Sequence, residues 1–138
     1  MKKKMVHTRL LIIGVVLLVL LVAYIIVPRL WSFTTDPILL GSKETVRDSL
    51  FELTPMGTSM DDVLAMIENN EGWRIRHTFN RGFPHPYTQE VIGEKTIMAY
   101  IGHYRNRHGI FIWYVTAFWW FDEDANLIDI FVLKEADA

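Results

Sequence analysis

Apolar residues follow three patterns in succession along the chain, and each pattern predicts a different kind of element. The first is an uninterrupted run of eighteen uncharged residues, Leu10 to Val27. Two stretches with helical spacing come next, and after Gly72 the period changes from 3.6 to 2, the spacing of strands. This order predicts an α+β fold: an N-terminal transmembrane helix, then two short helices packed on an antiparallel sheet of about four strands, an α-α-β-β-β-β meander.

Both short helices carry a cap signal and an apolar stripe. Ser42 precedes a stretch with apolar residues at helical spacing, and this helix is expected to end before Pro55. Thr58 and Ser59 provide cap oxygens for the second helix, whose first turn contains two aspartates that the helix dipole stabilises. The residues predicted to face the core are Val46, Leu50 and Leu53 in the first helix and Met60, Val63, Leu64 and Ile67 in the second.

Four alternating stretches predict the strands, over 73–79, 96–105, 110–121 and 127–134. Because the last three are joined by short turns, the strands are expected to pair antiparallel. Residues 80–94 contain two prolines and two glycines and are predicted to form a long loop. The alternation groups the apolar and histidine side chains of each strand on one face. In the first strand these are Trp73, Ile75, His77 and Phe79, and in the second strand they are Ile97, Ala99, Ile101 and His103.

The run Leu10 to Val27 predicts a transmembrane signal anchor. As a helix it spans about 27 Å, and flanking residues supply the remainder of the roughly 30 Å hydrocarbon core. A cleaved secretory signal is the alternative, although such signals have a shorter apolar core and a small-x-small site. The expected divisions are a cytoplasmic basic leader over 1–9, the anchor over 10–30, a stalk over 31–40 and an extracytoplasmic domain over 41–138.

The basic residues set the expected orientation. Four lysines and arginines precede the run, whereas Arg29 alone follows it closely. Since basic flanks remain on the cytoplasmic side, the sequence predicts a single-pass protein of the cell membrane, with its N-terminus inside and its C-terminal domain outside.

Charge and cysteine content narrow the possible partners. The chain after the run has 10 of the 14 basic residues against all 16 acidic residues, a net charge of −6. Because an acidic domain repels nucleic acid, nucleic-acid binding is not expected. The expected partner of Leu10 to Val27 is the lipid bilayer. The absence of cysteine excludes disulfides and thiolate catalysis.

Two segments resemble the SmpA/OmlA family: Leu53 to Val63 (LTPMGTSMDDV), and a late Phe121-Asp followed by Leu127. That family comprises small bacterial envelope proteins that support outer-membrane assembly, and its fold is shared with a secreted β-lactamase inhibitor. The resemblance implies a helix-helix-sheet domain with an accessory role in the envelope. The chain lacks the family's lipidated cysteine, and it also resembles uncharacterised small membrane-anchored bacterial proteins.

The third strand is apolar on both faces, although a sheet with helices on one side needs only one apolar face. In one interpretation the 80–94 loop covers the second face, with Phe83, Pro84, Pro86 and Tyr87 as a lid. In another, this face binds a protein partner or a second copy, because Trp and Tyr commonly anchor interfaces. A third interpretation is a platform for a carbohydrate or small ligand. The candidate interface residues are Phe111, Trp113, Tyr114, Phe118, Trp119 and Trp120.

A candidate basic patch contrasts with the acidic character of the domain. Its residues are Arg74, Arg76, Arg105 and Arg107. Such a cluster is either a solvated face or a site for an anionic partner, and the sequence leaves both open.

Catalytic, cofactor-binding and metal-binding residues are not expected. A nucleophile elbow, a glycine-rich phosphate loop and a thiol are all missing from the sequence. Asp122, Asp124 and Asn126 repeat the first ligands of a calcium loop, but Leu127 stands where that loop needs glycine, so a hairpin turn is expected. The histidines lack zinc-site spacing.

These patterns favour a membrane-anchored extracytoplasmic protein-interaction or envelope accessory domain. The alternative is a ligand-binding or inhibitor module that uses the aromatic face of the third strand. An unrecognised hydrolase is the least favoured class.

Overall fold

The structure is a computed structural model that describes residues 2–31, 36–105 and 111–137, with the side chains of the first helix described from 12 to 26. The chain divides into two units, Met1–Phe33 and Thr34–Ala138. The first unit contains helix α1 (Lys2–Trp31), which includes the apolar run. Within the described residues, no helix meets both the length and the apolar character that crossing a membrane requires.

The second unit is an α+β domain in which three helices precede a sheet. The helices are α2 (Pro37–Leu40), α3 (Lys43–Leu53) and α4 (Met60–Asn69). The strands are β1 (Arg74–Phe79), β2 (Phe83–Pro84), β3 (Val91–Ile92), β4 (Lys95–Arg105), β5 (Ile112–Phe121) and β6 (Leu127–Ala136). Strands β1, β4, β5 and β6 form an antiparallel sheet in that order, while β2 and β3 form a separate hairpin. The predicted helical pair and four-stranded antiparallel meander are confirmed. The segment 80–94 was predicted to be a loop, which is wrong in part because β2 and β3 pair within it; each has only two residues, too few to show a period.

The predicted caps begin α3 and α4. The Ser42 hydroxyl accepts a hydrogen bond from the Thr45 N–H at 3.1 Å, and the Ser59 hydroxyl accepts one from the Asp62 N–H at 3.2 Å. Each bond satisfies an amide that lacks a partner inside its helix.

The segment predicted as a stalk contains α2, a helix that the sequence analysis missed. Asp36 caps it by accepting a hydrogen bond from the Ile38 N–H at 3.0 Å, and Leu39 is buried in the domain core. Residues 36–40 therefore belong to the folded domain. Residues 32–35 of the predicted stalk lie outside the described residues. A single turn of helix has too few positions to show a period, which is why the pattern of apolar residues did not reveal it.

The core lies between the helices and one face of the sheet, here called the helix face. Fully buried Trp119 is at its centre, and its Nε1 donates a hydrogen bond to the Thr54 hydroxyl at 3.2 Å. Leu53 was predicted to be in the core, which is wrong because it is the last residue of α3 and Thr54 takes the buried position instead. The buried apolar residues also include Val46, Leu50, Val63, Ile67, Ile97, Ala99, Val115, Ala117, Ile130 and Val132.

The register shifts at three places among the described strands, one of them at Ile128 in β6, and the β-bulges in β1 and β4 determine which residues of those two strands share a face. The strand pairing skips Arg76 in β1 and Ile101 in β4. A one-residue bulge reverses the face occupied by every later side chain, because side chains alternate with period 2. His77, Phe79 and His103 therefore lie on the outer face, which faces away from α3 and α4. Their predicted grouping with the apolar residues of the helix face is wrong for this reason.

Gly102 makes the bulge in β4 possible. Its φ of +145° lies in a region that side chains rarely adopt, and a Cβ atom at this position would lie 2.4 Å from Leu39 Cδ1. The bulge and the close approach of α2 therefore depend on the same glycine.

Candidate functional site

The β2–β3 hairpin covers one half of the outer face. The Phe83 ring stacks on Phe118 with centroids 5.6 Å apart, and the His85 ring packs edge-on against Phe131 at 4.5 Å. Beneath it, Phe118 is 4% exposed and Trp120 is fully buried. This hairpin, residues 83–92, is called the lid. It covers the C-terminal half of β5.

The lid is held at its tip and at its base. At the tip, Lys43 donates a hydrogen bond to the Tyr87 hydroxyl, which joins the lid to α3. Inside the lid, His85 Nδ1 accepts the Tyr87 N–H at 3.3 Å. At the base the two strands approach so closely that a Cβ atom on Gly82 would lie 2.3 Å from the Gly93 carbonyl oxygen.

Two adjoining depressions border the other half of the outer face. The first, called the cleft, has a volume of about 720 Å³, and its lining joins outer-face residues of β1, β4 and β5 to Leu39 of α2 and to Ile75 and Ile101 of the helix face. The second, called the groove, has a volume of about 420 Å³ and lies over β4, β5 and β6. Arg76, Tyr100 and Tyr114 line both and therefore form the border between them.

Polar groups from three strands meet at this border. The Tyr100 hydroxyl is hydrogen-bonded to His103 Nδ1. The Arg76 guanidinium lies 5.7 Å from the centroid of the Tyr100 ring, within the range of a cation–π contact. The Tyr114 ring lies 6.4 Å from the ring of Tyr100 and 6.0 Å from that of His103. Phenol, imidazole and guanidinium groups thus lie together at this border.

Burial is the main reason why the pKa of Tyr100 is raised above its ordinary value of 10.0. The neighbouring Tyr114 raises this pKa further, while Arg74 and Arg76 act in the opposite direction. The Tyr100 phenol is consequently neutral at pH 7 and keeps its hydrogen-bond donor.

The cleft carries charges of both signs. Arg74 and Arg76 are exposed, and neither forms an ion pair with a described residue. Asp36 and Glu71 also line the cleft. The Asp36 carboxylate caps α2, and no described carboxylate forms an ion pair with either guanidinium group, so both retain donors for a ligand.

The groove is apolar at its floor and acidic at its far side. Met98, Phe118 and Leu133 supply the apolar surface, and Glu135 and Asp137 lie towards β6. A ligand that crosses from the cleft to the groove would therefore meet basic, aromatic, apolar and acidic groups in turn.

The six candidate interface residues are divided between the surface and the interior. Phe111 is 50% exposed and Tyr114 is 38% exposed, while Trp113 is half-buried and stacks on Tyr104. Phe118, Trp119 and Trp120 are buried, the first and last under the lid and Trp119 in the core. Of this set, Tyr114 borders both depressions and Phe118 reaches one wall of the groove.

The candidate basic patch is likewise only partly assembled. Arg74 and Arg76 line the cleft, Arg105 ends β4, and Arg107 lies outside the described residues. Neither Tyr100 nor His103 was predicted to be a site residue, because strict alternation placed them on opposite faces. A glycine in the middle of a strand, Gly102, is the signal that could have revealed the bulge that unites them.

The hydrogen-bonding groups of this site include arginine, phenol and imidazole, and its carboxylates lie at the edges. Among the described residues, no group of three or more histidine, aspartate or glutamate side chains is placed to hold a metal ion. Asp122 instead accepts the Asn126 N–H at 2.8 Å within a hairpin turn.

Comparison with known proteins finds no family model, no curated protein and no solved structure that matches the chain. The resemblance to the SmpA/OmlA family therefore stays a prediction from the sequence.

Proposed function

We propose that the chain is a single-pass membrane protein that displays a protein-interaction domain outside the cytoplasm. The anchor is the helix α1, whose side chains from 12 to 26 are all exposed and uncharged. An apolar surface of that extent is costly in water and favourable in lipid. The basic residues before the run favour a cytoplasmic N-terminus.

Extraction and reporter experiments test the anchor and its orientation separately. The full-length chain is expected to stay with membranes at alkaline pH, and a periplasmic-type reporter fused after Ala138 is expected to be active. Release of the chain by carbonate would contradict the anchor. Activity of a cytoplasmic reporter at the same position would contradict the orientation.

We infer that the uncovered half of the outer face is the interaction surface. The observation that carries this inference is the pair of adjoining depressions. In the cleft, Arg74 and Arg76, which form no ion pair with a described residue, share the lining with half-buried Tyr100 and exposed Tyr114. Arg, Tyr and Trp are the residue types that most often dominate binding energy in interfaces. The interaction would be an accessory or scaffold function in the envelope.

Site-specific photo-crosslinking tests this surface in intact cells. A crosslinking amino acid at Thr116, which lines the groove, is expected to give one discrete adduct. The matched control is Glu68, which is exposed on α4 and lines neither depression. Equal adducts at the two positions, or none at Thr116, would refute the assignment.

A ligand-binding or inhibitor module is the second candidate. The cleft volume of about 720 Å³ falls within the range of small-molecule sites and favours this class. Trp73 lines the cleft, so quenching of fluorescence by a small molecule that disappears in Trp73→Phe would support a ligand module. Recovery of a discrete protein adduct at Thr116 without such quenching would favour the interaction domain.

A further inference from the structure

The outer-face side chains form rows that cross the sheet. One row runs from Arg74 on β1 through Tyr100 and Thr116 to Leu133 on β6, as the strand register specifies. The bulge at Ile101 adds a second row from His103 through Tyr114 to Glu135. The charge along these rows changes from positive on β1 to negative on β6.

We propose that the cleft and the groove bind an extended segment of a partner protein whose side chains have the order acidic, apolar, basic. This inference rests on the proposed interaction function and specifies the chemistry of its partner. The acidic residue lies on Arg74 and Arg76, the apolar residue on the groove floor, and the basic residue near Glu135 and Asp137.

The dimensions of the sheet set the spacing of this segment. Neighbouring strands lie about 4.8 Å apart, so β1 and β6 are separated by about 14 Å. Four residues of extended chain cover about 13 Å, and residues i, i+2 and i+4 point to the same side. The segment therefore has its acidic residue at i, its apolar residue at i+2 and its basic residue at i+4.

Both ends of the rows offer suitable partners. The Arg76 guanidinium, supported by the Tyr100 ring, retains donors that fit a carboxylate, and the Tyr114 ring packs beside that of Tyr100. At the other end Glu135 and Asp137 are exposed. Neither is in a salt bridge with a described residue.

Charge also argues against other occupants. A uniformly anionic surface would meet the carboxylates of Glu135 and Asp137 and the net charge of −6 on the chain after the apolar run. A uniformly cationic one would meet two arginines. A segment with one charge of each sign satisfies both ends of the face.

Fluorescence anisotropy of a labelled, blocked peptide tests the proposal, with the full-length chain in detergent micelles. The probe has the sequence Gly-Ser-Gly-Glu-Ser-Leu-Ser-Lys-Gly-Ser. Arg74→Gln with Arg76→Gln is expected to weaken binding about tenfold, the scale of two partly exposed ion pairs. The single variants Arg74→Gln and Arg76→Gln are each compared with Arg81→Gln, which removes one charge at an exposed arginine that lines neither depression and is expected to leave binding unchanged.

A reversal of charge shows whether a loss of binding reflects misfolding. Arg74→Glu with Arg76→Glu should lose the probe and bind a peptide in which lysine replaces its glutamate. Moving the probe's lysine one position closer to the leucine should weaken binding, because that side chain then points away from the sheet.

Each remaining outcome is decisive. Equal binding of the probe to the native chain and to the double glutamine variant would overturn the proposal, as would failure of the probe to bind at all. If the Thr116 adduct persists in either case, the interaction function stands and only the partner chemistry fails. If that adduct is also missing, both fail. Concentration-dependent self-association that the double glutamine variant abolishes would assign the face to a second copy and overturn the peptide.

Discussion

Replacement of Gly102 by alanine tests whether one glycine supports both the domain core and the binding face. The backbone φ of +145° at this residue costs a side-chain-bearing residue about 2 kcal/mol. The new Cβ would also lie 2.4 Å from Leu39 Cδ1, and relieving such overpacking costs about another 2 kcal/mol. The expected loss of unfolding free energy is about 4 kcal/mol, a large part of the roughly 5–15 kcal/mol that stabilises a domain.

Urea unfolding of the full-length chain in detergent micelles, followed by tryptophan fluorescence, measures this loss. Gly57→Ala is the matched control, because Gly57 has φ +84° and open space around its missing Cβ. Its expected cost is about 1 kcal/mol of backbone strain alone.

A double-mutant cycle with Leu39→Ala isolates the steric part. If Leu39 causes the clash, its truncation should cost about 2 kcal/mol less in the Gly102→Ala background than in the native chain. A loss of stability in Gly102→Ala no greater than that in Gly57→Ala would contradict the expected cost. Additive effects of Gly102→Ala and Leu39→Ala would contradict the clash with Leu39. A stable Gly102→Ala chain that still binds the peptide probe would show that the bulge is not needed for the site.

Three further outcomes are expected. Thr54→Val should cost about 1–3 kcal/mol in urea unfolding, because it leaves the buried Trp119 N–H without its acceptor. In an alkaline absorbance titration, Tyr100 should ionise above its ordinary pKa of 10.0, and Tyr100→Phe should remove one late-ionising phenol. Because the folded state holds this proton to a higher pH than the unfolded state does, the free energy of unfolding should fall as pH rises above about 10. Phe83→Ala should cost about 2 kcal/mol and increase binding of a hydrophobic dye, because it uncovers Phe118.

Each of these outcomes has its own control. Thr54→Ser keeps the hydroxyl and should retain more stability than Thr54→Val; equal losses would show that packing, not the hydrogen bond, is responsible. An unchanged count of late-ionising phenols in Tyr100→Phe would contradict the burial of that hydroxyl. Dye binding equal to that of the native chain would mean that Phe83 does not shield the outer face.

Local signals in the sequence were sufficient for α3, α4 and the four strands of the main sheet, but not for α2 or for the β2–β3 hairpin. Ser42 and Ser59 start helices because a hydroxyl next to an apolar stripe satisfies amides that have no other partner. The period of 2 after Gly72 identified the four strands of the main sheet, and each predicted end lies within two residues of the observed one. The apolar run and the charge balance on either side of it are equally direct to read, since they depend on the order of residues and not on folding.

The residues that share the binding face could not be predicted from periodicity, because the position of a β-bulge depends on tertiary packing. Leu39 in α2 packs against Gly102, and that contact accompanies the bulge that moves His103 to the face of Tyr100. Strict alternation had separated these two side chains.

Composition and periodicity are enough to predict an apolar helical run before an acidic, cysteine-free α+β domain whose third strand is apolar on both faces. How those two faces are used depends on the packing of the folded chain. Trp119 enters the core, the lid covers Phe118 and Trp120, and Tyr114 stays exposed and lines the cleft together with two arginines. Periodicity specifies which side chains alternate, whereas burial depends on what distant segments of the chain pack against them.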